Sequence, residues 1–123
     1  MRSIPRTAVA LLATTCCLAP AHATYNATVT SEVEFIQQMS SSLPGSTPES
    51  VSFKLIGQPT VTCGPFQQFI ISPTSVPDAQ TRKNMLAILI AAKATGAQVQ
   101  VAYDNTGGFC DQQMVAVYYL VLR

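Results

Sequence analysis

The reactive side chains of this 123-residue chain are few: four cysteines, one histidine and six carboxylates. Their positions divide them. Cys16, Cys17 and His22 fall in an opening stretch that has the layout of an export signal, while Cys63 and Cys110 lie well beyond it. Arg2 and Arg6 precede an apolar run, Ala8 to Leu18, and Pro20 leads into Ala21-His22-Ala23, a small-x-small pattern that signal peptidase accepts. The run is shorter than the roughly 20 apolar residues of a stable membrane-spanning helix. Cleavage after Ala23 is therefore expected, with residues 24–123 as the mature part. Lipidation at Cys16 or Cys17 is the alternative, but neither is preceded by the leucine and small residues that such a site prefers.

Removing the leader removes the histidine. Ser-His-Asp and Cys-His catalysis are then excluded as ordinarily built. A zinc site lacks its ligands, and no metal or other cofactor is expected. Two cysteines in an exported chain most simply pair with each other, so a Cys63–Cys110 disulfide is expected. A redox pair would take the form C-x-x-C, which is absent. The bond would close a loop of roughly 48 residues and contribute about 4 kcal/mol in the chain-entropy model. Glu32 and Glu34 share the polar side of a candidate strand, roughly 7 Å apart at the strand rise, a spacing that a glycosidase pair could use. Paired carboxylates on an exposed strand are, however, mostly solvated residues. Asp104, Asn105 and Asp111 offer oxygen ligands for calcium without the spacing of an EF-hand loop, and turn chemistry accounts for them equally well. Asn26-Ala27-Thr28 is a glycosylation sequon. Gly107-Gly108 has neither the lysine nor the following helix of a phosphate loop. No catalytic residue is assigned, and the chain is expected not to be an enzyme.

Beyond Ala23 the chain holds five basic and six acidic side chains, a net charge of −1. Scattered charges of both signs give no basic stripe for a nucleic acid and no polybasic cluster for anionic lipid. Neither nucleic acid nor an integral membrane segment is expected in the mature part.

The elements that must position these residues follow from periodicity. Tyr25, Ala27, Val29, Ser31, Val33 and Phe35 alternate with polar residues, the pattern of a half-buried strand, although Ile36 and Met39 blur its end. Ser40 to Ser50 is rich in Ser, Pro and Gly and reads as a loop. Val51, Phe53 and Leu55 alternate again, and a third strand is expected at Phe66 to Ser72. Pro73 and Pro77 stop it. Asp78 caps the one strong helix, AQTRKNMLAILIAAKAT, and Gly96 ends it. Its apolar arc is wide, which predicts cover on more than one flank, with Leu86 and Leu89 in the core. Gln98 to Tyr103 forms the fourth strand, Asp104 to Asp111 a turn, and Met114 to Leu122 a fifth strand apolar on both faces. If one of those faces stays uncovered, Tyr118, Leu120 and Leu122 form an exposed edge that a homo-oligomer would bury.

The order βββαββ is the connectivity of an OB-fold, a small five-stranded barrel with one helix between its third and fourth strands. The fold class is thus mainly β (α+β), in a single domain over 24–123. The stretch MLAILIAAKATGAQVQVAYDNTGGFCD, with the earlier VSFKL strand and Cys63, resembles a pattern in small secreted bacterial proteins of uncharacterised function. The layout is also similar to the OB-fold B subunits of bacterial toxins, which assemble into rings and bind cell-surface glycans. None of their sugar-binding residues can be matched here. The resulting expectation is a secreted or periplasmic, non-enzymatic binding module for an unknown protein or glycan. The alternatives are a small hydrolase, an enzyme inhibitor or a structural envelope component.

Overall fold

The computed structural model describes residues 25–39, 49–107 and 109–123. Residues 1–24, which include the stretch expected to be an export signal, the Ser- and Pro-rich segment 40–48 and Gly108 lie outside the described residues. The chain is mainly β, with strands β1 (Ala27–Gln38), β2 (Val51–Leu55), β3 (Phe69–Ile71), β4 (Gln98–Tyr103), β5 (Cys110–Asp111) and β6 (Met114–Leu122), and helix α1 (Ala79–Thr95) between β3 and β4. The strands hydrogen-bond in the order β3-β2-β1-β4-β6-β5, and a further pairing joins β3 to β6. That last pairing is parallel, Phe69 opposite Val115 and Ile70 opposite Ala116; every other is antiparallel. There are six strands among the described residues where five were expected. The sixth is β5, which closes onto β6 through Gln112-Gln113. Both residues have φ above zero, 50° and 64°, as a two-residue type I′ hairpin requires. Glutamines are poor signals for that turn, which is why the sequence reads Asp104 to Asp111 as a turn and shows no strand at Cys110–Asp111.

β1 serves two neighbours. Its first half pairs with β4, Ala27 opposite Tyr103 through Glu32 opposite Gln98. Its second half pairs with β2, from Val33 opposite Leu55 to Gln38 opposite Val51. The register shifts between Val33 and Phe35. An extra residue at that bulge inverts the phase of the strand, so Val33 points into the core before it and Ile36 packs on the core after it. The expected inward alternation therefore holds only as far as Val33; Phe35 is half-buried.

A second irregularity lies in the β4–β6 ladder. Ala102 is opposite Tyr119 and Tyr103 opposite Val117, leaving Tyr118 as the extra residue. Val115 and Val117 are in the core before this point and Leu120 after it, while Tyr119 and Val121 turn outward. The expected exposed edge of Tyr118, Leu120 and Leu122 is corrected accordingly: Leu120 is buried, Tyr118 is half-buried and Leu122 is exposed.

The core combines valines and Ile71 with Leu55, Leu89 and Leu120, and three rings lie at its centre. Phe69 packs on Phe53 with centroids 5.4 Å apart and edge-on against Tyr103 at 5.1 Å. α1 packs against β1, β4 and β6. Asp78 caps it, its carboxylate accepting from the Thr81 amide at 2.8 Å, and Gly96 at φ 71° closes its other end. Its buried stripe is narrow: Arg82, Met85, Leu89 and Ala92. Leu86 is only half-buried and Ile90 is 54 % exposed. The helix is thus covered on one flank rather than two, and Leu86 is not part of the main core. β3 is shorter than expected because Gln67, at φ 54°, ends the preceding loop. The Gln67 side chain ties that loop together, accepting from the Val61 amide and donating to the Val61 and Gly64 carbonyls.

Candidate functional site

Cys63 and Cys110 are bonded, with Cα atoms 5.5 Å apart. Cys63 is buried beside the loop that leads into β3, and Cys110 opens β5. The bond staples two short elements with little core of their own. Gly64 supports the junction: it sits at φ 61°, and a Cβ there would lie 2.7 Å from the Gln113 Cβ and 2.8 Å from the Gln113 carbonyl oxygen.

The carboxylates considered in the sequence separate into different networks. Glu32 and Glu34 are both exposed on either side of the buried Val33, and the register of β1 against β2 shifts at Glu34. Glu34 pairs with Lys54 at 3.9 Å, and both side chains are exposed. Asp104 folds its own turn, accepting from the Thr106 hydroxyl at 2.6 Å and the Thr106 amide at 2.8 Å. These bonds, with one from Asn26, hold its carboxyl below the usual carboxylate range. Asp111 instead takes a short hydrogen bond from the buried Ser72 hydroxyl, which also faces Ser75. Asp104 and Asp111 therefore do not converge on one ligand, and Asn105 contributes its amide, not its side chain, by donating to the Asn26 Oδ1 at 2.8 Å. The sequon residue Asn26 is itself engaged, donating to Asp104 at 3.1 Å.

That Asn26–Asp104 knot is flanked by four rings. Tyr25 meets Tyr119 edge-on with centroids 5.1 Å apart, and Phe109 lies against Tyr118 at 5.7 Å. Tyr25 is 47 % exposed, and the other three rings are partly exposed. The hydrogen bond with Tyr25 raises the Tyr119 hydroxyl above the usual phenol range, and burial together with Asp104 does the same for Tyr118. The result is a patch of aromatic rings around fixed polar side chains. The start of β1, the β4–β5 turn and the bulge of β6 supply it from three separate parts of the sequence. Tyr25 and Tyr119 are 94 positions apart, and no local spacing links them; only the bulge at Tyr118 sets two successive tyrosines partly exposed.

Comparison of the chain with family models, with curated proteins and with solved structures finds no match. Among the described residues no helix is long and apolar enough to cross a membrane.

Proposed function

We propose that the chain is an exported, non-catalytic binding module that takes a carbohydrate on the ring patch around Asn26 and Asp104. The pairings β1–β2–β3–β6–β4–β1 form a ring, which supports reading the sheet as a closed OB-type barrel with β5 as an added hairpin strand. In OB-folds the connection after the fourth barrel strand is one of the loops that receive oligosaccharides and oligonucleotides. Here that connection carries Asp104, Thr106 and Phe109. The near-neutral charge weighs against the nucleic acid. The observation that carries the reading is the patch itself: rings can stack on the apolar face of a sugar while oriented oxygens and amides meet its hydroxyls. The disulfide and the leader pattern favour an exported location.

Glycan-array screening of the purified protein, with Tyr119→Ala and Tyr25→Ala as controls, tests this. A defined set of glycans bound by wild type and lost in both variants is expected. Retention of the same profile in both variants would remove the ring patch from consideration.

A second reading is favoured by the end of β6. From Val117 onward β6 pairs with β4 alone, and Val121 and Leu122 are 39 % and 46 % exposed. An open strand edge beside apolar side chains is suited to pairing with a second copy. Light scattering at tens of micromolar should then give an oligomer that Val121→Glu splits into folded monomers; a wild-type monomer would exclude it.

A further inference from the structure

At the other end of β1 from the ring patch, the N-terminal turn of α1 borders a cavity of about 330 Å³. Its wall is apolar where Val51, Ile71 and Leu86 meet, and its polar side is formed by Arg82, Lys83 and Glu49. Arg82 is unusual for a helix residue in being about nine-tenths buried, with 10 % of its side chain exposed. Its Nη1 donates to the Val76 carbonyl at 2.8 Å and the Pro77 carbonyl at 2.9 Å, which fixes the guanidinium plane. Its Nη2 donates to Glu49 Oε2 at 2.6 Å. A guanidinium has five N–H donors, so three are taken by these contacts.

Glu49 is a poor permanent partner. Its side chain is 70 % exposed, and its backbone sits at φ 67°, a left-handed conformation that disfavours residues with a Cβ. Lys83 beside it has no ion pair among the described residues. The cavity therefore presents two cations to one solvent-facing carboxylate, above an apolar wall. A desolvated, pre-oriented guanidinium is the arrangement that recognises a carboxylate through paired hydrogen bonds.

We propose that this cavity binds a small organic acid with an apolar tail, its carboxylate on Arg82 where Glu49 now sits, and its tail against Val51, Ile71 and Leu86. Lys83 supplies the second positive charge, and Glu49 acts as an internal competitor that occupies the Arg82 guanidinium when no ligand is present. The site is separate from the ring patch and stands or falls independently of carbohydrate binding.

The test is titration of the purified protein with sodium octanoate, followed by amide chemical shifts, against Glu49→Gln and Lys83→Glu. Both substitutions are at exposed positions, and far-UV circular dichroism checks that each variant is folded. Wild type should bind octanoate with shifts centred on α1. Glu49→Gln, by removing the competitor, should tighten binding about tenfold, the worth of a charged hydrogen bond. Lys83→Glu should weaken it by a similar factor. A purely structural Arg82–Glu49 staple predicts the opposite for Glu49→Gln, namely lower stability with no gain in affinity. That outcome, or absence of binding to both wild type and Glu49→Gln at millimolar octanoate, would overturn the proposal. Equal binding of octanol would overturn it as well, since the carboxylate would then contribute nothing.

Discussion

Leu86 and Leu89 are one helical turn apart and identical in type, yet the structure gives them different weights. Leu89 has no exposed surface and belongs to the core that α1 forms with the strands. Leu86 is half-buried and lies outside that core, on the cavity wall. Truncating a fully buried leucine costs about 3–5 kcal/mol, because the transfer free energy of the lost methyls is joined by the cavity left behind. Leu86→Ala opens no enclosed void and removes a side chain already partly in water, so about 1 kcal/mol is expected. For a domain of this size each kcal/mol shifts Tm by about 4–8 °C; Leu89→Ala should lower it by about 12 °C or more and Leu86→Ala by less than about 8 °C. The chain has no tryptophan, so urea unfolding is best followed by far-UV circular dichroism with the disulfide intact. The slope m should be unchanged, which would show that both variants act on the folded packing. Equal losses at the two sites, or a loss below about 1 kcal/mol for Leu89→Ala, would refute the assignment of a single buried stripe.

Replacing Cys63 and Cys110 by serine should lower stability by about 2–5 kcal/mol, measured by the same unfolding experiment. Gly64→Ala should cost about 2–4 kcal/mol, because it adds a clash with Gln113 to a left-handed backbone. Gly57→Ala, also at positive φ but with open space around it, should cost only about 1–2 kcal/mol. The pH profile should fall at both ends. Thr81 and Thr106 hold Asp78 and Asp104 below their ordinary value of 3.8, so their contribution is present above that value and lost as the pH drops through the lower folded values. Burial raises Tyr103 above 10.0, so its contribution is present below pH 10.0 and lost as the pH climbs through the higher folded value. Urea midpoints across the acid range should show a shallower decline for Asp104→Asn than for wild type.

The elements were legible where one physical signal dominated. The alternation from Ala27 to Val33, the Asp78 cap and the Gly96 stop all lie where the sequence places them, and the two cysteines pair as expected. What escaped were features set by three-dimensional contact. The bulges near Glu34 and at Tyr118 obey no composition rule, and each reverses the side on which the following residues fall. The Gln112-Gln113 hairpin uses residues that seldom adopt positive φ. Nothing in the sequence marks Arg82 as buried, and the carbonyls of Val76 and Pro77 and the carboxylate of Glu49 make its burial tolerable. The ring patch was hidden for the same reason: Tyr118 could be seen as surplus apolar surface, but its grouping with Phe109, Tyr25 and Asp104 depends on where three distant segments meet.

The two bulges also make the chain unevenly tolerant of changes in its length. Elsewhere in a strand, losing one residue transfers every neighbour on one side of the gap to the wrong face. Near Glu34 the core residues Val33 and Ile36 are separated by two positions where a regular strand needs one, and Val117 and Leu120 stand in the same relation around Tyr118. Removing Glu34 or Tyr118 would therefore leave both flanking core residues facing inward. These are the points within the sheet where natural variants of this chain can lose a residue and keep the core in phase, and the second of them lies in the ring patch itself. Length variation at Tyr118 could thus remodel the surface offered to a ligand while leaving the packing beneath it intact.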